Sequence, residues 1–408
     1  MDKMADVLGR AGAWCGQNKY LSAIKNAFQN FMPLTIAGAI GVLWCNVLVN
    51  DQTGLGLFFK PIMALDFLNP AFQAVNFCTI SCITVGITLG IAQEIGVWNM
   101  GAEKAGYIPG LVGLAAWLSV TNTSHMVEGA KEAFTGIAGN ELGATGLFTG
   151  MIIGVLSVEL FCFFEKQDAL KIKMPEQVPP GVARAFEVLV PATITLIITA
   201  CIGSACYNLT GLYLNDVIKN GIQGPLGAVG ATIPGVMIIY LVIMLFWLVG
   251  IHGNNMLSAV KEALFTPLAL ENVEKFNKGE KPTNIINMYA LQMWGEFGGS
   301  GVTIGLVIAI MIFGKREDNK AIATLSLVPG LFNINETVTF GIPMVLNPIL
   351  GIPFVFACLV TILVGYVLTV IGFCPVACLT VPWTTPPIVF GFLATGANVM
   401  GAVTQAIL

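Results

Sequence analysis

Apolar runs of roughly 15 to 25 residues fill most of the chain, separated by short polar or Gly/Pro-rich connections, and they lack the alternation of a barrel strand. A helix needs about 20 residues to cross the hydrocarbon layer, so these runs predict membrane-spanning helices. They lie at 27–48, 75–92, 106–120, 146–164, 186–207, 227–250, 299–313, 321–332, 349–373 and from 386 to the end. Two stretches fit poorly. The run 321–332 is too short to cross, and IINMYALQMWGEFGGSG (285–301) either goes partway in and returns or crosses as a weakly apolar segment. Short, Gly/Pro-interrupted segments of this kind point to a solute site built on discontinuous helices.

Composition agrees. Of 408 residues, 56% are hydrophobic and only 10% charged, with a mean hydropathy of +0.81, too little polar surface to coat a soluble globule. The fold class expected is all-α, a polytopic membrane protein with about ten transmembrane helices. Membrane lipid is its surroundings, and no nucleic-acid partner is expected. The ten cysteines are scattered, several within apolar runs, without metal-type spacing, so they read as small packing residues, with no metal and no cofactor. The N-terminus lacks the apolar core and cleavage site of a signal peptide.

Lys and Arg set the orientation. Lys3, Arg10, Lys19, Lys25, Lys104, Lys166, Lys171, Lys173, Arg184, Lys261, Lys275, Lys278 and Lys281 fall on one set of alternate connections, against Lys60, Lys131 and Lys219 on the other. That bias puts the N-terminus in the cytoplasm and predicts six regular crossings. After the sixth, parity fails: Lys281 and the Lys315, Arg316, Lys320 cluster both look cytoplasmic with one convincing span between them, and no Lys or Arg follows residue 320. Residues 1–220 therefore read as scaffold and oligomer contact, and 221–408, which hold the unusual polar breaks, as the domain of the solute site.

The breaks carry the candidate chemistry. In GIHGNN (250–255), His252 stands between glycines and before Asn254 and Asn255; an imidazole accepts a proton near neutral pH, though a buried histidine bonded to a carbonyl is the plainer role. In FNINETVTFG (332–341), Glu336 lies among Asn333, Asn335, Thr337 and Thr339, and a carboxylate with flanking amides suits vicinal hydroxyls of a sugar. An ion site is its rival, and a structural salt bridge would need a basic partner. Trp383 in LTVPWTTPP offers either a stacking face or an interfacial anchor. Gly298, Gly299, Ser300 and Gly301 form a turn able to present N–H groups. Glu296 and Glu159 read as fold-stabilising, and His125, beside Glu128, as solvated surface.

These stretches resemble a known family, the membrane-embedded enzyme IIC component of the sugar phosphotransferase system, in its lactose/cellobiose/diacetylchitobiose branch. The resemblance rests on MPLTIAGAI (32–40), KMPEQVPPGVARAFEVLVP (173–191), GIHGNN, GGSG (298–301), GLFNINETVTFGIPMVLNPILGIPF (330–354) and TVPWTTPP (380–387). It implies a homodimeric sugar permease in the bacterial cytoplasmic membrane, with an N-terminal dimerisation half and a C-terminal transport half containing two re-entrant hairpins. It further implies that His252 approaches the hydroxyl to be phosphorylated, that Glu336 holds sugar hydroxyls, and that Trp383 and Asn333 line the pocket, with Gly299, Ser300 and Asn254 as further binding positions. The chain would then be the membrane component of a sugar phosphotransferase. The phosphoryl donor would be a phosphocysteine on a partner enzyme IIB, since no segment here has a cysteine in a phosphate-cradling loop, and IIB would dock on the basic connections 166–184 and 261–281. Lys25 and Asn26, where a basic and acidic pair is expected, and Glu296 depart from the pattern. The rival function is an ion-coupled secondary sugar transporter, with Glu336 as the ion site; a channel would need rings of pore-lining residues that the chain lacks.

Overall fold

The computed structural model describes residues 2–51, 55–125, 134–175, 177–342 and 344–408; Glu128 and Lys131 lie outside them. Helix dominates, and the strands among the described residues are Ser124–His125 and Phe134–Thr135, paired antiparallel. Among the described residues four helices are long and apolar enough to cross a membrane: Lys19–Leu48, Ala144–Glu165, Pro180–Thr210 and Ile349–Val370. Two bent pairs, Lys60–Ser81 with Ile83–Met100 and Leu214–Ala228 with Ile233–Leu248, raise the number to six if each is one span. Thr303–Phe313 is apolar but has only 11 residues, about 16 Å, half the hydrocarbon thickness.

The chain divides into two compact units, one of Met1–Gln17, Leu34–Cys78 and Gly227–Leu408, the other of Asn18–Pro33 and Thr79–Leu226. A cut near 220 falls close to the last of these boundaries, while 1–17 and 34–78 group with the C-terminal part. In the second unit, Ile83–Met100, Ile108–Val120 and Ala144–Glu165 pack through small residues. A methyl on Gly113 would lie 2.3 Å from Ala92 Cβ, and one on Gly150 2.2 Å from Thr88 Oγ1. In lipid, such close approach takes the place of the hydrophobic force between helices. Ala116, Trp117, Val120 and Ile153 form a buried cluster there.

In the first unit, Ile233–Leu248 begins on Thr232, whose side chain accepts from Gly235 N. It stops at Gly250, whose φ of +81° lets the Ile251 N–H return to Phe246 O at 2.9 Å, a left-handed helix stop that favours glycine. The chain then enters Ser258–Asn277, 20 residues and about 30 Å long. Its near end lies beside the N-terminal helix, where a methyl on Gly16 would meet Met256 at 4.0 Å and one on Gly12 would meet Ile251 at 3.1 Å. At its far end, Asn46 Nδ2 donates to Asn277 Oδ1 at 3.2 Å. This helix is long enough to be a crossing that hydropathy misses, because it carries Lys261, Glu262, Glu271, Asn272, Glu274 and Lys275. Two expectations are corrected here. Residues 261–281 are not one surface, since Lys261 is buried at one end of the helix and Lys275 and Lys278 stand at the other. The run from 386 is not a single span but two short helices, Val389–Ala394 and Val399–Ile407. Gly396, at φ +75°, turns the chain between them, and Gln405 Oε1, accepting from the N–H groups of Ile388 at 2.8 Å and Gly391 at 2.7 Å, folds the second back on the first.

Candidate functional site

The Gly250 stop aims His252 away from its own helix. His252 caps the short turn Gly253–Met256, its Nδ1 accepting from Asn255 N at 3.3 Å, and its ring packs on the buried Trp247 at 4.4 Å between centroids. Those contacts leave Nε2 free to face Glu336, and Oε1 lies 3.5 Å away. Both side chains are half-buried. Burial pulls the imidazole below its ordinary value, and the Glu336 carboxylate pulls it back only in part, so the ring is mainly neutral at pH 7. Bonding assigns its proton to Nε2 when Nδ1 accepts.

Glu336 is carried by a loop that the rest of the first unit pins. Leu346 N–H donates to Leu248 O at 2.8 Å, tying the segment after Glu336 to the helix before His252. Asn333, at φ +63°, uses its whole amide: Oδ1 accepts from Gly298 N at 2.6 Å, and Nδ2 donates to the carbonyls of Trp383 and Thr385. One residue therefore clips its own break to the GGSG turn and to the LTVPWTTPP break. Asn335 Nδ2 donates to Ser300 O at 2.8 Å, and Gly299, at φ +89°, comes so near that a methyl on it would lie 2.5 Å from Asn335 Cβ. Only glycine tolerates both that angle and that contact.

Asn254 closes the cluster. Its Nδ2 donates to Ser300 Oγ at 2.9 Å, while its Oδ1 is buried with no hydrogen-bond partner. A buried amide oxygen left open is costly without a ligand or water, which makes it a ready acceptor for a hydroxyl. His252 thus meets Glu336 directly and Asn254 meets Ser300; Asn335 ties its own segment to Gly299 and Ser300, and Asn333 reaches the backbone of Gly298 and of Trp383, whose side chain is partly exposed. Among the described residues Glu336 faces no lysine or arginine; its neighbour is the neutral imidazole of His252.

Sequence reasoning leaves out three contributors. Trp247 orients the imidazole, and Asn335 holds the GGSG turn; neither stands out among apolar or amide neighbours. The third is Lys261, whose ammonium pairs with the Glu296 carboxylate just before that turn. Tyr240 donates to the same Glu296 oxygen at 2.6 Å, with the Lys261 ammonium 5.5 Å from its ring. Glu296 has the fold-stabilising role expected of it in geometry, but its partner was expected on a docking surface.

Comparison with known proteins adds a family. The family model described as Phosphotransferase system, EIIC matches residues 25–358. The chain is 33% identical over 411 residues to the PTS system oligo-beta-mannoside-specific EIIC component of Bacillus subtilis (strain 168), across 100% of this chain and 90% of that one. It is 26% identical to the PTS system lactose-specific EIICB component of Streptococcus mutans serotype c, across 96% of this chain and 67% of that one. A crystal structure of the transporter ChbC, the IIC component from the N,N'-diacetylchitobiose-specific phosphotransferase system, superposes with a TM-score of 0.88 at 29% identity, across 97% of this chain and 91% of that one.

Proposed function

We propose, from the premise that this chain belongs to the phosphotransferase system EIIC family, that it carries a β-linked disaccharide of the cellobiose, diacetylchitobiose or lactose type across the bacterial cytoplasmic membrane and presents it to a partner IIB for phosphorylation. The names of the similar proteins support the sugar class, and the EIICB form supports the IIB partner. The observation that carries the reading is the meeting of His252 and Glu336, side chains of two separate polar breaks, at 3.5 Å.

Phosphoryl transfer asks the protein mainly to position a hydroxyl and take up its proton. The sugar hydroxyl lodges at the His252–Glu336 pair, with Asn254 and Ser300 bonding neighbouring hydroxyls and Trp383 covering an apolar ring face. Its oxygen attacks phosphorus as the S–P bond to the IIB cysteine breaks; the thiolate leaves with the electron pair, and the proton passes to the pair. With Nδ1 held by Asn255, Nε2–H orients the hydroxyl and the carboxylate takes its proton, or Nδ1 releases Asn255 and the ring takes it. Asn333, fully occupied by protein partners, acts as the clamp of the pocket.

About ten spans, two re-entrant hairpins, a homodimer formed through 1–220 and a cytoplasmic N-terminus belong to the same proposal. The short helices Met288–Gly295 and Thr303–Phe313 on either side of the GGSG turn support one hairpin, and Glu317–Leu331 with Glu336–Gly341 the other. The N-terminal helix beside Ile251 and Met256 supports placing the His252 end toward the cytoplasm, where IIB works, with 166–184 as the basic docking connection. Proteoliposomes given radiolabelled disaccharide outside and phosphorylated IIB inside should accumulate sugar phosphate without an ion gradient. Accumulation of unmodified sugar driven by a gradient would instead identify an ion-coupled transporter.

A further inference from the structure

A cleft of about 510 Å³ opens in the first unit between residues 41–51 and 63–76, with Asn277 among its lining residues, a size within the roughly 300–1,000 Å³ typical of small-ligand sites. Its wall is polar in a chain that is otherwise apolar: Asn46, Asn69, Asn76 and Asn277 contribute amides, Asp51 and Asp66 carboxylates. The frame around it is packed. Trp44 stacks on Phe72 at 4.2 Å between centroids, and a methyl on Gly41 would lie 2.6 Å from Phe72 O. Asn46 reaches across to Asn277 at 3.2 Å. Asn69 Nδ2 donates to the Asp66 carboxylate, while Asn69 Oδ1 is buried with no hydrogen-bond partner. Polar groups gathered in a membrane protein mark a solute path more often than a structural need.

The donor set selects the ligand. Amides both donate and accept and carboxylates accept, which matches the hydroxyls of a neutral sugar. A cation such as Ca²⁺ accepts amide oxygens too but has no use for the amide N–H donors, and no group of three or more His, Cys, Asp or Glu poised for a metal occurs among the described residues. Asp66 is also already bonded to an amide donor. Position supplies the role. Ser258–Asn277, about 30 Å long, separates Asn277 from the His252 end. If a soluble IIB reaches His252 from the cytoplasm, the cleft faces the side from which sugar arrives.

We propose that this cleft is an outer antechamber that binds the incoming disaccharide before it reaches His252 and Glu336, an inference that rests on the function proposed above. Its test compares two reactions of the full chain. The sugar is whichever of cellobiose, lactose or diacetylchitobiose the detergent-solubilised protein phosphorylates with phosphorylated IIB, a reaction in which sugar need not pass the cleft. Asn277→Leu should raise the outside concentration that half-saturates vesicle uptake by roughly tenfold, the loss of one good polar contact, and leave the detergent reaction unchanged. Should Asn277→Leu lose the detergent reaction as well, Asp66→Asn, which alters an exposed carboxylate, decides the question by the same comparison. Unchanged half-saturation in a variant with a normal detergent reaction overturns the antechamber, as does calorimetry showing that Ca²⁺ but not sugar binds in an Asp66-dependent way. A wild-type chain that phosphorylates none of these sugars in detergent overturns the function proposed above, a failure distinct from that of the antechamber.

Discussion

Nε2 of His252 faces Oε1 of Glu336 at 3.5 Å, so two side chains from separate breaks act on one another. Their roles separate under substitution. His252→Ala should lower phosphorylation by roughly 100-fold, the size of a lost proton-transfer partner, with sugar binding kept within a few-fold. Glu336→Gln should weaken binding as well. Calorimetric sugar titration beside the IIB-dependent rate reads both, and an unchanged rate in His252→Ala removes its assigned role.

The pH profile follows from burial. His252 lies beyond the end of Ile233–Leu248, and burial holds its imidazole below the ordinary value, which is about 6.5. Because the neutral ring is the working form, the rate should rise through an apparent pKa below that value and flatten above it. The Glu336 carboxylate raises the imidazole, so Glu336→Gln should move the acid limb to still lower pH. A depressed value in the folded state also means that the neutral ring's contribution to stability is present above the ordinary value and lost as pH falls through the folded one.

Lys261 and Glu296 form a buried pair. Removing one partner strands the other charge, at a cost of about 3–5 kcal/mol. Lys261→Met and Glu296→Gln should each lower the thermal midpoint in detergent, and the double variant should recover most of it. Equal losses that add in the double variant would mean the two charges do not act as a pair.

Gly299→Ala tests the turn. The φ of +89° and the crowding against Asn335 should cost about 1–3 kcal/mol locally. Sugar affinity should fall more than global stability, because a displaced Asn335 would let go of the Ser300 carbonyl and the Ser300 hydroxyl would shift away from Asn254. Calorimetry against thermal unfolding distinguishes the two.

Membership of the membrane class, the helical class and the conspicuous polar residues His252 and Glu336 are legible in the sequence because each depends on residue type within a short window. An apolar run of about 20 residues can hardly be anything but a span, and a histidine or glutamate in a Gly/Asn break of an apolar chain is conspicuous. Helix Ser258–Asn277 is not legible as one long helix: Lys261, Glu262, Glu271, Asn272, Glu274 and Lys275 interrupt its apolar residues, so the hydropathy that marks a span is missing. The split of the last run escapes for a related reason, since Gly396 and the Gln405 bonds outweigh an apolar composition.

By itself the chain determined which chemistry is available, since imidazole, carboxylate, amide and indole are properties of residues. Tertiary structure alone decided which of them meet. Asn333 and Asn254 have the same side chain, yet one is consumed by three protein partners and the other keeps an open oxygen. The glutamate with an imidazole at hand and the glutamate with a buried lysine differ in the same way. Hydrogen bonds and ion pairs are satisfied by whatever the fold brings within about 3 Å, and that distance is set by packing between segments far apart in the sequence.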